Sequence, residues 1–399
     1  MRILYVAPQQ PSLNGIVNYA ERFQKLLHQY SNHRAEFYVQ SSDTIECEKR
    51  GTHLFNVYRQ VKAMIDGKAI EKYDVVHAEI GVSCYLEFFY TLLLGLLHRS
   101  IPIMVTVHDP PHVINHPIQY FGLAGWSLPQ RAIKRIVSFA LTRLLEAIAL
   151  RRCSMVFVLS EKGRGALRRR FPAVAGKITT IAPFTYQDAD VSGRPACLAK
   201  DSVILSAGFW SSRRGLDVLL DALEILRSRD AQAFDGWSVI VGGGILDIPS
   251  SRRSHQEFTR RVAAGKWGGI IQILETMSIA SYEELFRMAT IYVSTDLYKN
   301  DRLIPVSGNL VRAVGCGCAV IASDAASNSE LIVDSDNGYV YPSGDAESLA
   351  QALQMMMMST NTSNAFAQRN RCLGRTLYSG RATVETVSSF YGTAGSGRW

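Results

Sequence analysis

The fold of this chain is decided by the stretch Pro305-Val306-Ser307-Gly308-Asn309-Leu310-Val311-Arg312-Ala313-Val314-Gly315-Cys316-Gly317-Cys318-Ala319-Val320-Ile321-Ala322-Ser323. The Ser307-Gly308 pair precedes apolar residues at helical spacing, and glycines then lead into a short apolar strand. A helix that begins at a glycine exposes free backbone N–H groups and the positive end of the helix dipole. The stretch therefore predicts a loop, a helix and a strand, with a phosphorylated ligand bound at the start of the helix.

Alternating strands and helices extend outward from this stretch over the whole chain. The first half predicts strands at Arg2–Ala7, Glu36–Gln40, Val75–Glu79, Ile103–His108 and Met155–Ser160, with helices such as Val17–His28. The second half predicts strands at Val203–Ala207, Trp237–Val241, Ile270–Leu274, Ile291–Ser294, Ala319–Ser323 and Tyr339–Tyr341, with helices near Leu216–Arg227, Tyr282–Met288, Gly308–Val314 and Ala346–Met357. Continuous apolar strands flanked by helices are typical of parallel sheets covered on both faces. The predicted fold class is therefore α/β, with two doubly wound, Rossmann-like domains.

The composition is that of a folded protein from a reducing compartment. Of the 399 residues, 47% are apolar and 20% are charged, which excludes intrinsic disorder. The seven cysteines are odd in number and none is spaced as a metal-binding pair, so we expect a cytoplasmic protein. The N-terminus leads straight into a strand and shows no signal-peptide core. The apolar run Tyr85–Leu97 is too short to span a bilayer and predicts a buried helix, or else an interfacial one.

Basic residues are concentrated between positions 131 and 170. The net charge of the chain is +8, and the only acids in this segment are Glu146 and Glu161. Apolar residues recur among the basic ones at helical spacing, a pattern that favours peripheral binding to an anionic membrane surface on its inner face. A solvated helix face above a core stripe is the alternative. Nucleic acid is disfavoured as a partner, because no basic platform interleaved with aromatic residues is present.

A series of motifs occurs in a fixed order along nearly the whole chain. It consists of Ala7-Pro8 with Gly15-Ile16-Val17, Thr106-Val107-His108-Asp109, Leu159-Ser160-Glu161, Gly208 with Arg213-Arg214-Gly215-Leu216-Asp217, Val241-Gly242-Gly243-Gly244, and the Ser-Gly stretch through Glu330 to Asn337-Gly338. In this order the motifs resemble those of the retaining family 4 glycosyltransferases (GT4), which have the GT-B fold.

The resemblance implies two domains that face each other across a cleft. Residues 1–190 would form the N-terminal acceptor-binding domain, with a C-terminal helix at about 380–399 packing back on it. Residues 191–379 would form the domain that binds a nucleotide-sugar donor. The boundary is expected in the polar, turn-rich segment near Tyr186–Lys200. The active site is expected in the cleft.

The donor diphosphate needs cationic and amide donors, because negative charge grows on the leaving oxygen during transfer. The family supplies an Arg and a Lys from one loop. The matching positions here are Phe209 and Arg214, with Arg213 beside it. Arg214 can replace the Lys as a phosphate ligand, whereas Phe209 cannot replace the Arg. Lys299 and Arg302 could restore the missing charge, or they are ordinary surface charges.

The pair of donor-binding carboxylates that marks the family, its EX7E signature, is absent. The two positions correspond to Ile304 and Arg312, and neither is acidic. The chain instead resembles a variant in which a Ser-Gly pair begins the helix and the carboxylates are not used. In that variant the Ser307 hydroxyl and the backbone N–H groups of Gly308 and Asn309 would hold the diphosphate.

Three further residues are candidates for the site. Glu330 matches a family position that binds ribose or sugar hydroxyls, and the alternative is that it caps its own helix. His108 follows a buried strand at its carboxyl end, where the family has a His near the reacting centre; a structural His is the alternative. Gly15 opens the first helix, where the family's glycine-rich loop approaches the donor. We expect no metal and no cofactor, because the acid pairs at 188–190 and 334–336 follow no active-site strand.

The resemblance therefore implies a retaining glycosyltransferase that uses a UDP- or GDP-sugar. Its acceptor would be a glycan or a lipid-linked molecule in bacterial-type polysaccharide, lipopolysaccharide or glycolipid biosynthesis. The missing carboxylates fit a front-face transfer, in which the leaving phosphate takes the proton of the acceptor hydroxyl. The alternative is a catalytically degenerate GT-B protein that serves as a nucleotide-sugar-binding or partner subunit. A glycan phosphorylase is disfavoured, because no pyridoxal phosphate lysine is found in the required strand context.

Overall fold

The computed structural model describes residues 1–9, 15–38, 53–114, 128–185, 202–246, 249–265, 267–275, 277–298 and 303–395. They belong to two compact units. The first unit consists of Met1–Ala182, Leu303–Pro305 and Arg381–Trp399, and the second of Pro183–Arg302 and Val306–Gly380. The chain therefore leaves the first unit for the second and returns to the first at its C-terminal end.

The first unit contains a parallel six-stranded sheet of order β2-β1-β3-β4-β5-β6. Its strands are β1 (Arg2–Val6), β2 (Arg34–Phe37), β3 (Val75–Ile80), β4 (Ile103–Val107), β5 (Met155–Val158) and β6 (Ile178–Thr180). The central strands are buried over their whole length, which is why they read as continuous apolar runs. The order of strand addition reverses between β1 and β3, and sheets of this kind bind ligands at the carboxyl ends of the strands near such a switch point.

Helices connect successive strands of the first unit. They are α1 (Gly15–Tyr30), α2 (His53–Asp66), α3 (Tyr85–Leu97), α4 (Leu128–Arg152) and α5 (Glu161–Arg170). Helix α3 is largely buried, even at Glu87, as the apolar run in the sequence predicts. The C-terminal helix (Gly380–Gly395) also belongs to this unit from Arg381 onward. Its Phe390 ring lies 5.3 Å from that of Phe157 on β5.

The second unit contains another parallel six-stranded sheet, of order β12-β11-β10-β7-β8-β9. Its strands are β7 (Val203–Ala207), β8 (Ser238–Gly242), β9 (Ile271–Leu274), β10 (Ile291–Ser294), β11 (Ala319–Ser323) and β12 (Gly338–Tyr341). The helices are α6 (Leu216–Arg229), α7 (Pro249–Ala264), α8 (Ile279–Met288), α9 (Gly308–Cys316), α10 (Asn328–Leu331), α11 (Ala346–Met358) and α12 (Thr360–Arg375). The switch point of this sheet lies between β7 and β10.

The predicted fold class is confirmed, because both sheets are parallel and alternate with helices in the Rossmann manner. The sequence prediction missed β6, a strand of three residues at the edge of its sheet. It also placed β2 too late, because the register that pairs Arg2 with Arg34 starts this edge strand earlier. No helix within the described residues is long and apolar enough to cross a membrane.

Candidate functional site

The start of helix α9 lies beside the switch point of the second sheet. Ser307 caps the helix, since its hydroxyl accepts the backbone N–H of Leu310 at 3.4 Å and its carbonyl accepts that of Val311 at 3.1 Å. Within the described part of the chain, the backbone N–H groups of Gly308 and Asn309 have no acceptor. Two free N–H donors and the positive end of the helix dipole therefore lie together.

The Asn309 side chain joins this helix start to the end of strand β7. Its Nδ2 donates to the carbonyl oxygen of Ala207 at 3.0 Å. Its Oδ1 accepts from the Tyr282 hydroxyl at 3.0 Å and from Arg312 Nη1 at 3.1 Å. These three contacts hold the side chain in place, and the backbone N–H of Asn309 remains for a ligand.

Arg214 contacts the same carbonyl from the loop that follows β7. Its Nη2 donates to the oxygen of Ala207, and its Nη1 lies 2.9 Å from Oδ1 of Asp296, just beyond β10. The second carboxylate oxygen of Asp296 accepts from the Ser294 hydroxyl at 2.9 Å. Burial alone would lower the pKa of Arg214, but the Asp296 carboxylate raises it, so the guanidinium stays charged although its side chain is only 12% exposed. Part of its hydrogen-bonding capacity is thus used to hold β7 and β10 together at the switch point.

The glycines after β7 and β8 allow two loops to touch. The N–H of Gly208 donates to the carbonyl of Gly242 at 2.9 Å, and a Cβ on Gly243 would lie 1.7 Å from the carbonyl oxygen of Gly208. No residue other than glycine fits at position 243. Trp210 is fully buried in the same loop and donates its indole N–H to the Gly243 carbonyl at 3.1 Å. The loop that carries Arg213 and Arg214 is therefore anchored on both sides.

The other residues predicted to bring positive charge to the site do not share the contacts of Arg214. Arg213 is exposed and has no partner among the described side chains. Lys299 and Arg302 lie outside the described residues. Phe209 is half-buried, with its ring 3.2 Å from where a Cβ on Gly244 would be, so it serves packing at the position where the family has an Arg.

Ile304 and Arg312, the two residues aligned with the family's carboxylates, make contacts of other kinds. Ile304 is buried, and its backbone N–H donates to the carbonyl of Pro110 within the first unit at 2.6 Å. The Arg312 guanidinium lies over the rings of Tyr282 and Phe286, at 5.3 and 5.5 Å from their centroids. The two positions that the sequence analysis aligned with the family's carboxylates therefore hold a buried apolar side chain and a buried cation that stacks on aromatic rings.

Glu330 lies in the short helix α10, at its third residue. The side chain is half-buried, and the carbonyl oxygen of Glu330 accepts from the Tyr378 hydroxyl at 3.5 Å. Helix α10 follows β11, so Glu330 lies near the end of this strand. Strand β11 belongs to the same sheet as β7 and β10, which precede Arg214 and Asp296.

In the first unit, His108 is held by a carboxylate that the sequence analysis did not single out. Nε2 of His108 lies 2.8 Å from Oε2 of Glu79, which is fully buried on β3. Burial alone would raise the pKa of Glu79, but the hydrogen bonds from His108 and from Tyr5 lower it, so the carboxylate is ionised. An ionised carboxylate only accepts, so Nε2 of His108 carries the proton and Nδ1 is left for other partners.

A buried polar network lies next to the Glu79 carboxylate of this pair. The Tyr5 hydroxyl donates to Oε1 of Glu79 at 2.6 Å. His77 is completely buried, with Nε2 2.9 Å from the Thr106 hydroxyl and Nδ1 against the hydroxyl of Tyr391 on the C-terminal helix. Burial lowers the pKa of His77, which keeps it neutral. The network fixes Glu79, and through it the ring of His108.

Gly15 is the first residue of α1 and is exposed. A Cβ on Gly15 would meet no atom of the described residues within 4 Å, so packing against them does not require glycine there. Gly81, after β3, is the tighter position, since a Cβ there would lie 2.5 Å from Ile16 and 2.7 Å from the Asp109 carboxylate. It lets the start of α1 approach the end of β3 at the switch point of this sheet.

Two comparisons with protein families cover both units. Residues 14–185 match the family described as Glycosyltransferase Family 4, and residues 201–359 match the one described as Glycosyl transferases group 1. The chain belongs to the family 4 glycosyltransferases. It is therefore a glycosyltransferase with the GT-B fold, as the order of its motifs predicts.

Named relatives of this glycosyltransferase act on different sugars. The alpha-D-kanosaminyltransferase of Streptomyces kanamyceticus is 21% identical over 327 residues, which is 79% of this chain and 76% of that protein. The alpha-maltose-1-phosphate synthase of Mycobacterium tuberculosis is 22% identical over 305 residues, 71% of this chain and 72% of that protein. The crystal structure of Anabaena HepE in complex with UDP and glucose superposes with a TM-score of 0.69 at 15% identity, covering 98% of this chain and 100% of that one.

Proposed function

We propose that this glycosyltransferase moves a sugar from a UDP- or GDP-sugar to a glycan or lipid-linked acceptor, with retention of configuration, in bacterial-type polysaccharide, lipopolysaccharide or glycolipid biosynthesis. The observation that carries the proposal is the start of α9, with the free N–H groups of Gly308 and Asn309 next to the switch point of the second sheet. HepE, which has the same fold, binds UDP and glucose. An anion at such a helix start is stabilised by both the N–H groups and the dipole.

In this proposal the helix start binds the donor diphosphate. The Ser307 hydroxyl and the two N–H groups contact phosphate oxygens, and Arg214 and Arg213 add positive charge from the neighbouring loop. Lys299 and Arg302, which follow β10 in the sequence, add further charge. These groups stabilise the charge that develops on the diphosphate as it leaves, which is the role a metal ion has in other transferases, so we propose that no metal and no cofactor is needed.

In this proposal the protein positions the donor and the acceptor, and it supplies no nucleophile of its own. The bond between the anomeric carbon and the diphosphate oxygen breaks, and the acceptor hydroxyl oxygen forms the new bond on the same face of the sugar. The proton of that hydroxyl goes to the leaving diphosphate oxygen, so atoms and charge balance without a protein base. This fits positions 304 and 312, neither of which carries a carboxylate.

His108 and Glu330 contact the sugar and ribose in this proposal. With Nε2 of His108 bonded to Glu79, Nδ1 is an acceptor for a hydroxyl of the donor sugar near the reacting centre. Glu330 accepts from ribose or sugar hydroxyls. Gly15 leaves room for the donor beside the start of α1, since no atom of the described residues lies within 4 Å of the position of its Cβ.

A matched pair of substitutions at Gly308 tests the helix-start site. Gly308 is the first helical residue, where proline is well tolerated, and Ser307 before it has φ −71° and ψ 107°, the extended conformation that a following proline requires. Gly308→Pro therefore removes one N–H donor and keeps the helix, whereas Gly308→Ala keeps the donor. Loss of one hydrogen bond to a charged group should weaken diphosphate binding by roughly tenfold or more in the proline variant only.

The measurement is a thermal-shift titration of both variants and the unchanged protein with UDP, GDP, ADP and TDP. One diphosphate should stabilise the unchanged protein and Gly308→Ala, and stabilise Gly308→Pro far less. Equal shifts in both variants would remove the helix start from the site. Turnover is tested separately: slow release of free sugar and nucleoside diphosphate from the matching donor supports transfer, and binding without release or transfer would overturn it.

A further inference from the structure

Glu146 of α4 is a buried carboxylate that the donor site described above does not use. Its side chain is completely buried. One carboxylate oxygen, Oε1, accepts the backbone N–H groups of Val113 at 2.8 Å and of Ile114 at 3.1 Å. The other oxygen, Oε2, accepts from Nη2 of Arg170, the last residue of α5, at 2.6 Å. One carboxylate therefore joins the loop that follows β4 to two helices.

The stability of the fold alone does not require a carboxylate at position 146. The N–H groups of Val113 and Ile114 are buried outside any helix or strand, so they need an acceptor when the loop lies in this position. Burial raises the pKa of Glu146, and Arg170 and the two N–H groups offset only part of that shift. Apolar side chains in place of a buried ion pair often give a fold of equal stability. What the carboxylate adds is a fixed position for the loop.

A short, stiff turn connects this contact to His108. Residues 109–112 follow His108 directly, and the turn is closed by the N–H of His112, which donates to the carbonyl of Asp109 at 3.2 Å. The two central residues of the turn are prolines, whose rings fix the backbone angle φ. Because such a turn has few conformations, a displacement of Val113 is transmitted toward His108.

Other contacts hold the beginning of the same loop. Oδ2 of Asp109 accepts the backbone N–H of Val82 at 3.0 Å, and the carbonyl of Pro110 accepts that of Ile304 at 2.6 Å. Glu146 holds the far end of the described part of the loop, at residues 113 and 114. Loss of the Glu146 carboxylate should therefore release one end of the loop and leave the rest of the first unit folded.

We propose, on the basis of the role proposed for His108, that Glu146 is a positioning residue for sugar transfer. Through the backbone of Val113 and Ile114 it fixes the loop after β4, so that His108 and the residues that follow it keep their places at the carboxyl edge of the sheet. Glu146 itself does not touch the substrate. A displacement of about 1 Å at a reacting centre can cost roughly a hundredfold in rate, so a small movement of this loop is enough to affect turnover.

The test compares two variants that both lack the ion pair and differ only in the acceptor for the loop. The first, Glu146→Gln/Arg170→Met, keeps a side-chain oxygen that can accept both N–H groups, whereas the second, Glu146→Met/Arg170→Met, has none. Neither variant buries an unpaired charge, so both should fold.

Two measurements are made on both variants and on the unchanged protein. Hydrogen exchange followed by mass spectrometry, on a peptide that covers residues 109–114, reports how firmly the loop is held. Turnover is the release of nucleoside diphosphate from UDP-glucose, UDP-galactose, GDP-mannose, ADP-glucose and TDP-glucose, with water as the acceptor.

Exchange in the loop should be roughly tenfold faster in the second variant than in the first, because two N–H groups have lost their acceptor. The kcat for the hydrolysed donor should be roughly tenfold to a hundredfold lower in the second variant. The donor KM and the thermal shift caused by UDP, GDP, ADP or TDP should be the same in both, since the proposed diphosphate site belongs to the second unit. A merely structural role would not separate kcat from KM in this way.

Equal exchange in the two variants would overturn the proposal, because Glu146 would then not hold the loop. Equal turnover despite different exchange would also overturn it, since the position of the loop would not matter to the reaction. A smaller diphosphate shift in the second variant alone would assign the loss to general damage of the fold. If the unchanged protein released no diphosphate from any of these donors, the proposed function and this role would fail together, whereas failure of this role alone leaves the unchanged protein active.

Discussion

Each of the two sheets of this glycosyltransferase has a buried carboxylate near its switch point, and the two carboxylates have different partners. In the first unit, Glu79 accepts hydrogen bonds from Nε2 of His108 and from the hydroxyl of Tyr5. In the second, Asp296 is paired with the cation of Arg214. The first arrangement orients a ring nitrogen and the second fixes a positively charged loop beside free N–H groups. The same layered architecture therefore offers an acceptor in one unit and anion-binding donors in the other, because function is determined by the residues at the strand ends.

The largest expected effect comes from breaking the pair in the second unit. Arg214→Ala leaves the buried Asp296 carboxylate without its cation and should lower the free energy of unfolding by about 3 kcal/mol. Urea denaturation measures this loss. The neighbouring exposed cation provides the control, since Arg213→Ala should change stability by less than about 0.5 kcal/mol. If both variants were equally stable, the pair would not be what holds β7 and β10 together.

Removing the charge in the first unit should affect catalysis more than stability. Glu79→Gln keeps the size of the side chain but no longer fixes which nitrogen of His108 carries the proton, so turnover should fall by roughly tenfold or more. The pH dependence of the rate should also change, because the variant lacks the Glu79 carboxylate, whose pKa is lowered by its hydrogen bonds to His108 and Tyr5.

A variant with altered stability alone would leave that pH profile unchanged. Glu79→Asp is the conservative control, since it retains the carboxylate at a shorter reach and should recover part of the activity. Unchanged turnover in Glu79→Gln would show that Glu79 does not position His108.

The buried network below Glu79 predicts a loss of stability in mild acid. Burial lowers the pKa of His77, so below pH 6.5 the unfolded chain binds a proton that the folded protein does not. Stability is thus complete above pH 6.5 and falls at lower pH, by at most about 1.4 kcal/mol per pH unit. Urea denaturation between pH 7.5 and 5.5, a range of roughly one pH unit on either side of the ordinary His pKa, should show this slope. His77→Gln should flatten it, and an unchanged slope would assign the effect to other groups.

The smallest expected effect is at the start of α9. Ser307→Ala removes the cap that accepts the Leu310 N–H and should cost about 0.5–1 kcal/mol of stability. Ser307→Asn, which also caps helices well, should restore it. If the hydroxyl also binds the diphosphate, the alanine variant will in addition lose part of the thermal shift that the diphosphate causes in the unchanged protein.

The sequence predicts the repeating elements well and the contacts between distant segments poorly. Strands such as β7, β10 and β11 have the predicted bounds, because continuous apolar runs report burial on both faces. The three-residue β6 has no such signal. The Ser-Gly helix start was found because helix capping is a local property, and Ser307 does cap α9.

The partners of the candidate residues could not be found in this way. Arg214 was predicted as a phosphate ligand, but its pairing with Asp296 joins residues 82 positions apart. Glu79 ends a predicted strand, yet its contact with His108 depends on the register of β3 against β4, where Glu79 lies beside Thr106. Strand register is fixed by the packing of the whole sheet and leaves no mark at either residue.

The C-terminal helix gives the chain an order of assembly. Tyr391, which contacts His77 in the core of the first unit, is made more than three hundred residues after it. During synthesis the strands of the first sheet leave the ribosome first, and the second unit follows before the helix that carries Tyr391 is made. The first unit is thus completed after the second has been made, and a nascent chain holds His77 without Tyr391 until more than three hundred further residues have been added.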